Sequence, residues 1–452
     1  VLNLIQSIIF MESNKLNGQE EIALLASLFE KGNYEKGLKY SDELINKYPN
    51  SPDVLFLNGI INLALNNYTK SIESFTKTLK ENKNNADAYN NKGAALFHIG
   101  NFRESLEQFK KGLELKPNNP IFLNNVGNSL NSLKKFDEAL YYYNESIKFY
   151  KNYNLPILNT IKILTHFDAE KNYNKYIGAN NKIRSFKNNI NINETITDKK
   201  IISFFKEYIK LLPNEIIEYD YKATEIFRRD KSLNCSRHEK VFNKYNTIPE
   251  FCFGCYKIQI EPNNLLDLIK LFVIFDKINL SNNIRKCTLE TRENVSGTYK
   301  GLIYCSGIDE ANKLLNFISS ILKKTIDKKI NIKIKRGCTE FSESYPNYAE
   351  TNPSSKNFMH YNKNWKSNEH VVDTEKNFKN KIFHPTLNGV TLSDILIIKN
   401  WIIYAKYIED NSCEQLYDDN LKSDYIYRQV SKQLIKRKDE LHKQQQNHKD
   451  LN

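Results

Sequence analysis

The sequence has no apolar run that approaches the roughly 18 residues a membrane-spanning helix requires. Its first ten residues, Val1 to Phe10, are apolar but lack the basic start of a secretory signal peptide. We therefore expect residues 1–17 to form an extension outside the fold, with Met11 opening its polar part.

Common catalytic motifs are also missing, since there is no Gly-rich phosphate loop, nucleophile elbow or H-E-x-x-H pair. The candidate nucleophile is Cys338, in the segment Arg336–Glu340, where the arginine could lower the pKa of the thiol. His360, His370 or His384 could supply a base if the fold brings one close. We expect a non-catalytic protein, with a thiol or metal-dependent enzyme as an alternative.

Cysteines are few and unevenly placed. There are seven, an odd number, and six of them lie between residues 235 and 338. This distribution argues against a secreted disulfide scaffold and favours a reducing compartment, so we predict a cytoplasmic location.

Acidic residues are outnumbered, with 53 Asp and Glu against 66 Lys and Arg, which gives a formal net charge of +13. Such an excess favours anionic partners, namely nucleic acid, acidic peptides or lipid surfaces. A general abundance of Lys, Asn and Ile along the chain is the alternative explanation.

Residues 18–152 repeat with a period of 34 residues. The period holds for a glycine (Gly59, Gly93, Gly127), two aromatic positions (Tyr34, Tyr68, Phe102, Phe136 and Phe75, Phe109, Tyr143), a leucine or isoleucine (Leu38, Ile72, Leu106, Leu140) and a small residue (Gly37, Ser71, Ser105, Ala139). Each period contains two helical patterns, and we interpret the glycine and the small residue as points of close helix contact.

A 34-residue period of paired helices resembles the tetratricopeptide repeat (TPR) family over about four repeats. The resemblance implies a right-handed superhelix with a groove that binds a peptide or protein. In the similar Asn-rich arrays of O-GlcNAc transferases, an Asn just before the helix glycine holds the ligand backbone. Asn91 and Asn125 match that position, whereas the second repeat has Leu57 there and Asn58 one residue later. Nothing after residue 200 resembles a glycosyltransferase.

The repeat pattern ends after residue 152, and we expect residues 153–214 to form capping helices and a linker. Residues 215–350 then alternate strands and helices in the order β-α-β-β-α-β. That order predicts a Cys-rich ferredoxin-like α+β domain. The predicted strands are 251–261, 284–292, 298–306 and 331–341, and the predicted helices are 263–278 and 308–326.

Side chains alternate along a strand, so the apolar residues of this predicted sheet cover the helices. The opposite face would be open and basic, and it carries Lys257, Lys286, Arg292, Lys300, Tyr304, Lys333 and Lys335. RNA-recognition domains use such a face to stack bases and hold phosphates, so nucleic-acid binding is an alternative function. A solvated or covered polar face is the other interpretation.

Four residues have spacing suited to zinc. Cys235 and His238 form a C-x2-H pair, and Cys252 and Cys255 form a C-x2-C pair after thirteen intervening residues. The predicted topology also gathers Cys252, Cys255, Cys287, Cys305 and Cys338 at one edge of the domain, where zinc or an iron–sulfur cluster could bind. For the last three, we favour burial as ordinary small apolar residues.

Residues 351–452 are predicted to form C-terminal helices and a basic tail, with a helix at about 391–408 and another at about 425–443. The sequence as a whole predicts a protein-interaction scaffold in which the repeats capture a peptide or protein and the α+β domain binds a second ligand.

Overall fold

The computed structural model describes residues 16–150, 153–186, 189–228, 233–280, 283–374, 385–417 and 421–449. Predictions for the first fifteen residues, for His384 and for the last three residues lie outside this range. The chain divides into two compact units, Val1–Thr160 and Ile161–Asn452. The finer predicted boundaries within them stay predictions. Among the described residues, no helix is long and apolar enough to cross a membrane.

The first unit is a series of helices, of which the first eight each pack against the next. They are α1 (Leu16–Glu30), α2 (Tyr34–Lys47), α3 (Pro52–Ala64), α4 (Tyr68–Glu81), α5 (Ala86–His98), α6 (Phe102–Leu115), α7 (Pro120–Ser132) and α8 (Phe136–Phe149), and α9 (Asn154–Ile163) spans the boundary between the units. The predicted helical pairs are therefore present.

The repeating glycines are points of close helix contact, as predicted, and the group that approaches each of them is an aromatic ring. A Cβ added to Gly93 would lie 2.7 Å from the ring of Phe109, and one added to Gly127 would lie 2.5 Å from the ring of Tyr143. In each case the ring belongs to the second helix of the same repeat. The small residue Ser105 adds a hydrogen bond, because its hydroxyl donates to the carbonyl oxygen of Gly93 at 2.8 Å.

The first helix of each pair also starts at a repeating position. Ser51, Asn85 and Asn119 precede α3, α5 and α7 at intervals of 34 residues, and each side chain accepts a hydrogen bond from a backbone N–H of the first turn. These N-caps satisfy donors that a helix start leaves unpaired, so they fix where each repeat begins.

The described part of the second unit combines helices with an antiparallel sheet. In chain order its elements are α10 (Lys175–Ser185), α11 (Asp198–Lys210), α12 (Asn214–Ile217), β1 (Glu225–Arg228), α13 (Cys235–Tyr245), α14 (Glu250–Phe253), β2 (Tyr256–Glu261), α15 (Leu265–Lys277), β3 (Arg285–Leu289), β4 (Tyr299–Cys305), α16 (Ile308–Thr325), β5 (Asn331–Arg336), α17 (Thr339–Ser344), α18 (Lys366–Thr374), α19 (Leu392–Tyr407), α20 (Asp424–Ser431) and α21 (Leu434–Lys449).

The strands are ordered β1-β3-β4-β2-β5, and each neighbouring pair is antiparallel. Helix α15 packs on β1, β3 and β4, and α16 packs on β2, β4 and β5. Gly301 permits this packing, because a Cβ there would lie 2.2 Å from the Leu271 side chain of α15. Ile258 and Ile303 are fully buried in the same sheet.

Several predicted bounds were wrong. The segment predicted as one strand from residue 251 begins with the short helix α14, and the strand predicted to reach residue 341 ends at Arg336 and is followed by α17. The edge strand β1 and helix α13 were not predicted. The predicted last helix is divided into α20 and α21.

A buried ion-pair network connects β1 to two helices of the second unit. The Arg228 guanidinium bonds the carboxylates of Asp276 at 2.5 Å and Asp394 at 2.9 Å. Asp394 also completes a capping box with Thr391 at the start of α19. All three charged side chains are less than a tenth exposed, so each charge depends on the others for compensation.

Candidate functional site

Asparagines form a hydrogen-bonded row along the first helices of successive repeats. The amide of Asn125 on α7 donates to Oδ1 of Asn90 on α5 at 2.9 Å. One repeat later, the amide of Asn159 donates to Oδ1 of Asn124 at 3.1 Å. Both bonds join residues 35 apart, so the row follows the repeat.

Asn91 stands one period before Asn125, but it cannot make the same bond. Its partner in the preceding repeat would be Phe56, which has no side-chain acceptor. No hydrogen bond connects the Asn91 side chain to the described residues, and the side chain is half-buried. Asn125 uses one N–H on Asn90, which leaves its second N–H and its oxygen available to a ligand.

Asn58, the third predicted groove residue, is only 4% exposed. Its amide donates to Ser41 at 2.9 Å and to Asp42 at 3.2 Å, and its oxygen accepts from Ser74 at 2.6 Å. A ligand would have to break these bonds, so Asn58 acts in the structure as a packing residue between helices.

In the second unit, the sheet face opposite α15 and α16 borders a cavity of about 400 Å³. We call it the lysine–thiol cavity. Its other walls come from α13 and α17. Among the residues that line it are Cys235, His238, Cys252, Cys255, Lys257, Lys286, Glu290, Arg292, Lys300, Tyr304, Lys335, Cys338 and Glu340. The structure therefore brings together the predicted metal set and most of the predicted basic face.

The basic face is only partly covered, since Arg292 and Lys333 are exposed and Lys286, Tyr304 and Lys335 are half-buried. Lys257 is 7% exposed and Lys300 is 5% exposed, because α13 and α17 lie over the strands. Lys333 lies outside the cavity and pairs with Glu261 at 2.7 Å.

Carboxylates neutralise part of this face. Glu290 bonds Lys300 at 2.8 Å and Arg292 at 2.6 Å, and Arg292 also pairs with Glu340. Burial alone would raise the pKa of Glu290, but the hydrogen bond from Arg292 and the charge of Lys300 outweigh it and lower that pKa to about 2. Lys286 pairs with Glu225 in the same way.

Lys257 and Lys335 have no carboxylate partner among the described residues. The Nζ of Lys257 donates to Sγ of Cys338 at 3.5 Å and lies 5.0 Å from the centre of the Tyr304 ring. Lys335 donates to the hydroxyl of Thr339. Burial lowers the pKa of Lys335 to about 8, and the nearby charges of Lys257 and Lys300 add to this effect.

The four predicted metal residues sit in different surroundings. Cys235 is exposed at the first turn of α13, and Cys252 is buried in α14. Burial raises the pKa of Cys255 to about 11, with Lys257 opposing the shift and the thiols of Cys338 and Cys235 adding to it. The His238 ring stacks on Phe251 at 5.0 Å, and burial lowers its pKa to about 4. Within the described residues, no three His, Cys, Asp or Glu side chains stand in metal-coordinating positions.

The predicted surroundings of Cys338 were wrong in one respect. Arg336 does not approach the thiol, because its guanidinium stacks 4.2 Å from the Phe358 ring and donates to the carbonyl oxygen of Met359. The cation beside the thiol is Lys257. His360 and His370 are not among the residues that line the cavity.

Helix α13, which forms one wall of the cavity, was not predicted from the sequence. Helix α13 carries His238, Val241, Phe242 and Tyr245 at the i, i+3, i+4, i+7 spacing of an amphipathic helix. That signal was present, but the C-x2-H spacing in the same residues suggested a metal-binding loop instead.

Comparison with known proteins bears on the first unit. Family models described as tetratricopeptide repeat match residues 24–51 and 86–119. These two stretches of the N-terminal region are tetratricopeptide repeats. The predicted resemblance is thereby confirmed for the TPR region, and no curated protein matches the chain.

Among solved structures, similar chains are a MamA protein (17% identity, 30% of this chain and 74% of that chain, TM-score 0.29) and MamA from Desulfovibrio magneticus RS-1 (18%, 32% and 82%, TM-score 0.31). PilF from Pseudomonas aeruginosa is also similar (20% identity, 32% of this chain and 67% of that chain, TM-score 0.31). These values support no conclusion about what the TPR region binds.

Proposed function

We propose that this chain is an interaction scaffold whose TPR repeats bind an extended polypeptide segment. The observation that carries the proposal is the asparagine row on α5, α7 and α9. Amide side chains offer a donor and an acceptor at once, so they can bond the N–H and C=O of a peptide backbone without reading its side chains. Such a row suits a partner recognised mainly by its extended conformation.

In this proposal, Asn91 and Asn125 form the hydrogen bonds to the peptide backbone. Asn125 is held in place by its bond to Asn90, so ordering it costs little conformational entropy when a ligand binds. Asn91 has its whole amide available within the described structure. The two residues lie one repeat apart and would bond successive stretches of the same segment.

The second unit supplies a separate ligand site in this proposal. We interpret β2 to β5 with α15 and α16 as a ferredoxin-like unit, and the strand order β3-β4-β2-β5 with its antiparallel pairing supports that interpretation. Strand β1 would be an addition at the edge beside β3. In this plan both helices cover one sheet face, which leaves the other to the lysine–thiol cavity.

Nucleic-acid binding has less support as the role of the second unit. A sheet that binds RNA needs accessible cations on its face, whereas here Lys257 and Lys300 are buried and several other cations of the face are paired with glutamates. A ligand of the cavity would have to be small enough for about 400 Å³.

A peptide selection on the full chain tests the scaffold function. Peptides are selected from a random displayed library, and the affinity of each selected peptide is measured against wild type, Asn91→Ala, Asn125→Ala and Asn84→Ala. Asn84 is an exposed loop residue between α4 and α5, so its variant is the matched control.

We expect each groove variant to weaken binding about 5- to 15-fold, the effect of one lost backbone hydrogen bond, and the control to leave it unchanged. Failure to select any peptide, or equal affinities across the variants, would contradict the proposal.

A further inference from the structure

Four of the seven cysteines line the lysine–thiol cavity. They come from three separate parts of the chain: Cys235 begins α13, Cys252 lies in α14 with Cys255 just after it, and Cys338 follows β5. The other cysteines, Cys287, Cys305 and Cys413, are at most 5% exposed and do not line this cavity. The fold has thus collected thiols that the sequence keeps far apart.

Specific contacts hold these segments together. The backbone N–H of Gly337 donates to the carbonyl oxygen of Cys255 at 2.8 Å, which places Cys338 beside the C-x2-C pair. The Tyr348 hydroxyl donates to the carbonyl oxygen of Cys252 at 2.6 Å. Cys252 is buried in an apolar cluster with Tyr348, and the partly buried Cys338 packs against the same cluster.

The charges around the thiols are unbalanced. Lys257 and Lys335 are directly paired across β2 and β5, and like charges opposite each other destabilise a sheet. Neither has a carboxylate partner in the described residues, and Lys257 is buried. A buried ammonium group is expensive without an anion beside it, so the cavity is built for negative charge next to Cys338.

We propose that Cys235, Cys252, Cys255 and Cys338 bind one zinc ion as thiolates in the lysine–thiol cavity, with Lys257 and Lys335 as counter-charges. Four thiolates around Zn²⁺ carry a net charge of −2, which two ammonium groups neutralise. Binding releases four thiol protons to solvent and involves no oxidation. Tetrahedral coordination by four cysteines is a common structural zinc site.

This set replaces the one that the sequence suggested, since Cys338 takes the place of His238. The His238 ring is only 6% exposed and is held by stacking on Phe251, whereas Cys338 already contacts Lys257. Because no three ligands yet stand in coordinating positions, zinc must draw the thiols inward. Cys235 is exposed at the start of α13, so it is the ligand of this set nearest to solvent.

Zinc has a route to the thiols. A second cavity of about 880 Å³ adjoins the first and shares Phe251, Cys255 and Tyr304 with it. The inference concerns the second unit and does not depend on what the TPR repeats bind.

The test uses the full chain, purified in reductant and loaded with zinc alone. Bound zinc is measured after buffer exchange, and Co²⁺ replaces zinc in parallel so that thiolate coordination can be read from its charge-transfer absorption. We expect one zinc per chain in wild type, and a loss of zinc in Cys252→Ser and Cys338→Ser. Cys287→Ser, a buried cysteine in the same sheet, and His238→Asn should both keep the metal.

A wild-type chain that stays folded and metal-free after zinc addition would overturn the inference. Retention in Cys338→Ser with loss in His238→Asn would overturn the proposed ligand set. Should the buried Cys252→Ser fail to fold, the comparison of Cys338→Ser with Cys287→Ser still decides, because Cys338 is only partly buried.

Discussion

Lys257 and Lys335 face each other across neighbouring antiparallel strands, and both line the same cavity. Neither lysine forms an ion pair with a carboxylate in the described structure. An arrangement that costs folding energy is most readily explained by a function in the folded state, which here is the binding of negative charge.

Removing one of the two charges should stabilise the metal-free chain. We predict that Lys335→Met raises the free energy of unfolding by about 0.5–1 kcal/mol, since it relieves a directly opposed like-charge pair. Urea unfolding of the zinc-free protein measures this. Lys333→Met is the matched control on the same strand, because Lys333 is exposed and pairs with Glu261. A destabilised Lys335→Met protein would show that the pair is not under repulsion.

Replacing the glycine of a repeat should destabilise the protein wherever an aromatic ring occupies the space that a side chain would need. Gly93→Ala should destabilise the first unit by about 1–3 kcal/mol, because the new Cβ overlaps the Phe109 ring. In Gly93→Ala/Phe109→Leu the cost should be smaller than the sum of the single effects. Thermal unfolding measures both, with the exposed Lys110→Ala as control, and strict additivity would contradict the packing explanation.

This contact illustrates why the first unit could be predicted from the sequence. A repeat presents the same packing problem several times, so Gly93 and Phe109 recur as Gly127 and Tyr143 and the pattern becomes visible without a structure. The resemblance to the TPR family singled out Asn125 as a groove residue, which stays a prediction. It could not predict that Asn58 is consumed by bonds to Ser41 and Ser74, because that depends on the neighbouring helix.

The buried Arg228 network should be essential to the second unit. Arg228→Leu leaves two carboxylates, Asp276 and Asp394, without their partner, and we predict a loss of about 3–5 kcal/mol in the free energy of unfolding. Arg184→Leu is the control, since its partner Asp168 is largely exposed, and it should cost about 1 kcal/mol or less. If the two variants lose similar free energies of unfolding, the buried network stabilises the second unit no more than an exposed ion pair does.

Glu290 gives the second unit a defined sensitivity to acid. Its pKa falls from an ordinary value of 4.5 to about 2, so its stabilisation is complete above about pH 4.5 and is lost as the pH falls toward 2. This amounts to about 2–3 kcal/mol. Urea unfolding of wild type and Glu290→Gln should differ at pH 6 and converge near pH 2. Glu343→Gln, an exposed change on α17, should follow wild type throughout.

The second unit was harder to predict because the contacts that form its cavity join segments that are far apart in the sequence. Strand alternation could have placed Arg336 away from Lys257, since Arg336 is paired with Tyr256 and Lys257 with Lys335. Helix α13, which forms one wall of the cavity, was indicated only weakly by the sequence. Two cysteine-containing spacings suggested a local metal loop, whereas Cys338 joins the other thiols only through the pairing of β2 with β5.

The central claim is that Asn125 binds the backbone of an extended segment. A double-mutant cycle tests it most directly: a selected peptide and versions N-methylated at single backbone amides are titrated against wild type and Asn125→Ala. The account predicts one amide whose methylation weakens binding to wild type about 5- to 15-fold and has no further effect on Asn125→Ala. If every methylation weakens both proteins equally, Asn125 does not hold the backbone and the proposed mode of binding is wrong.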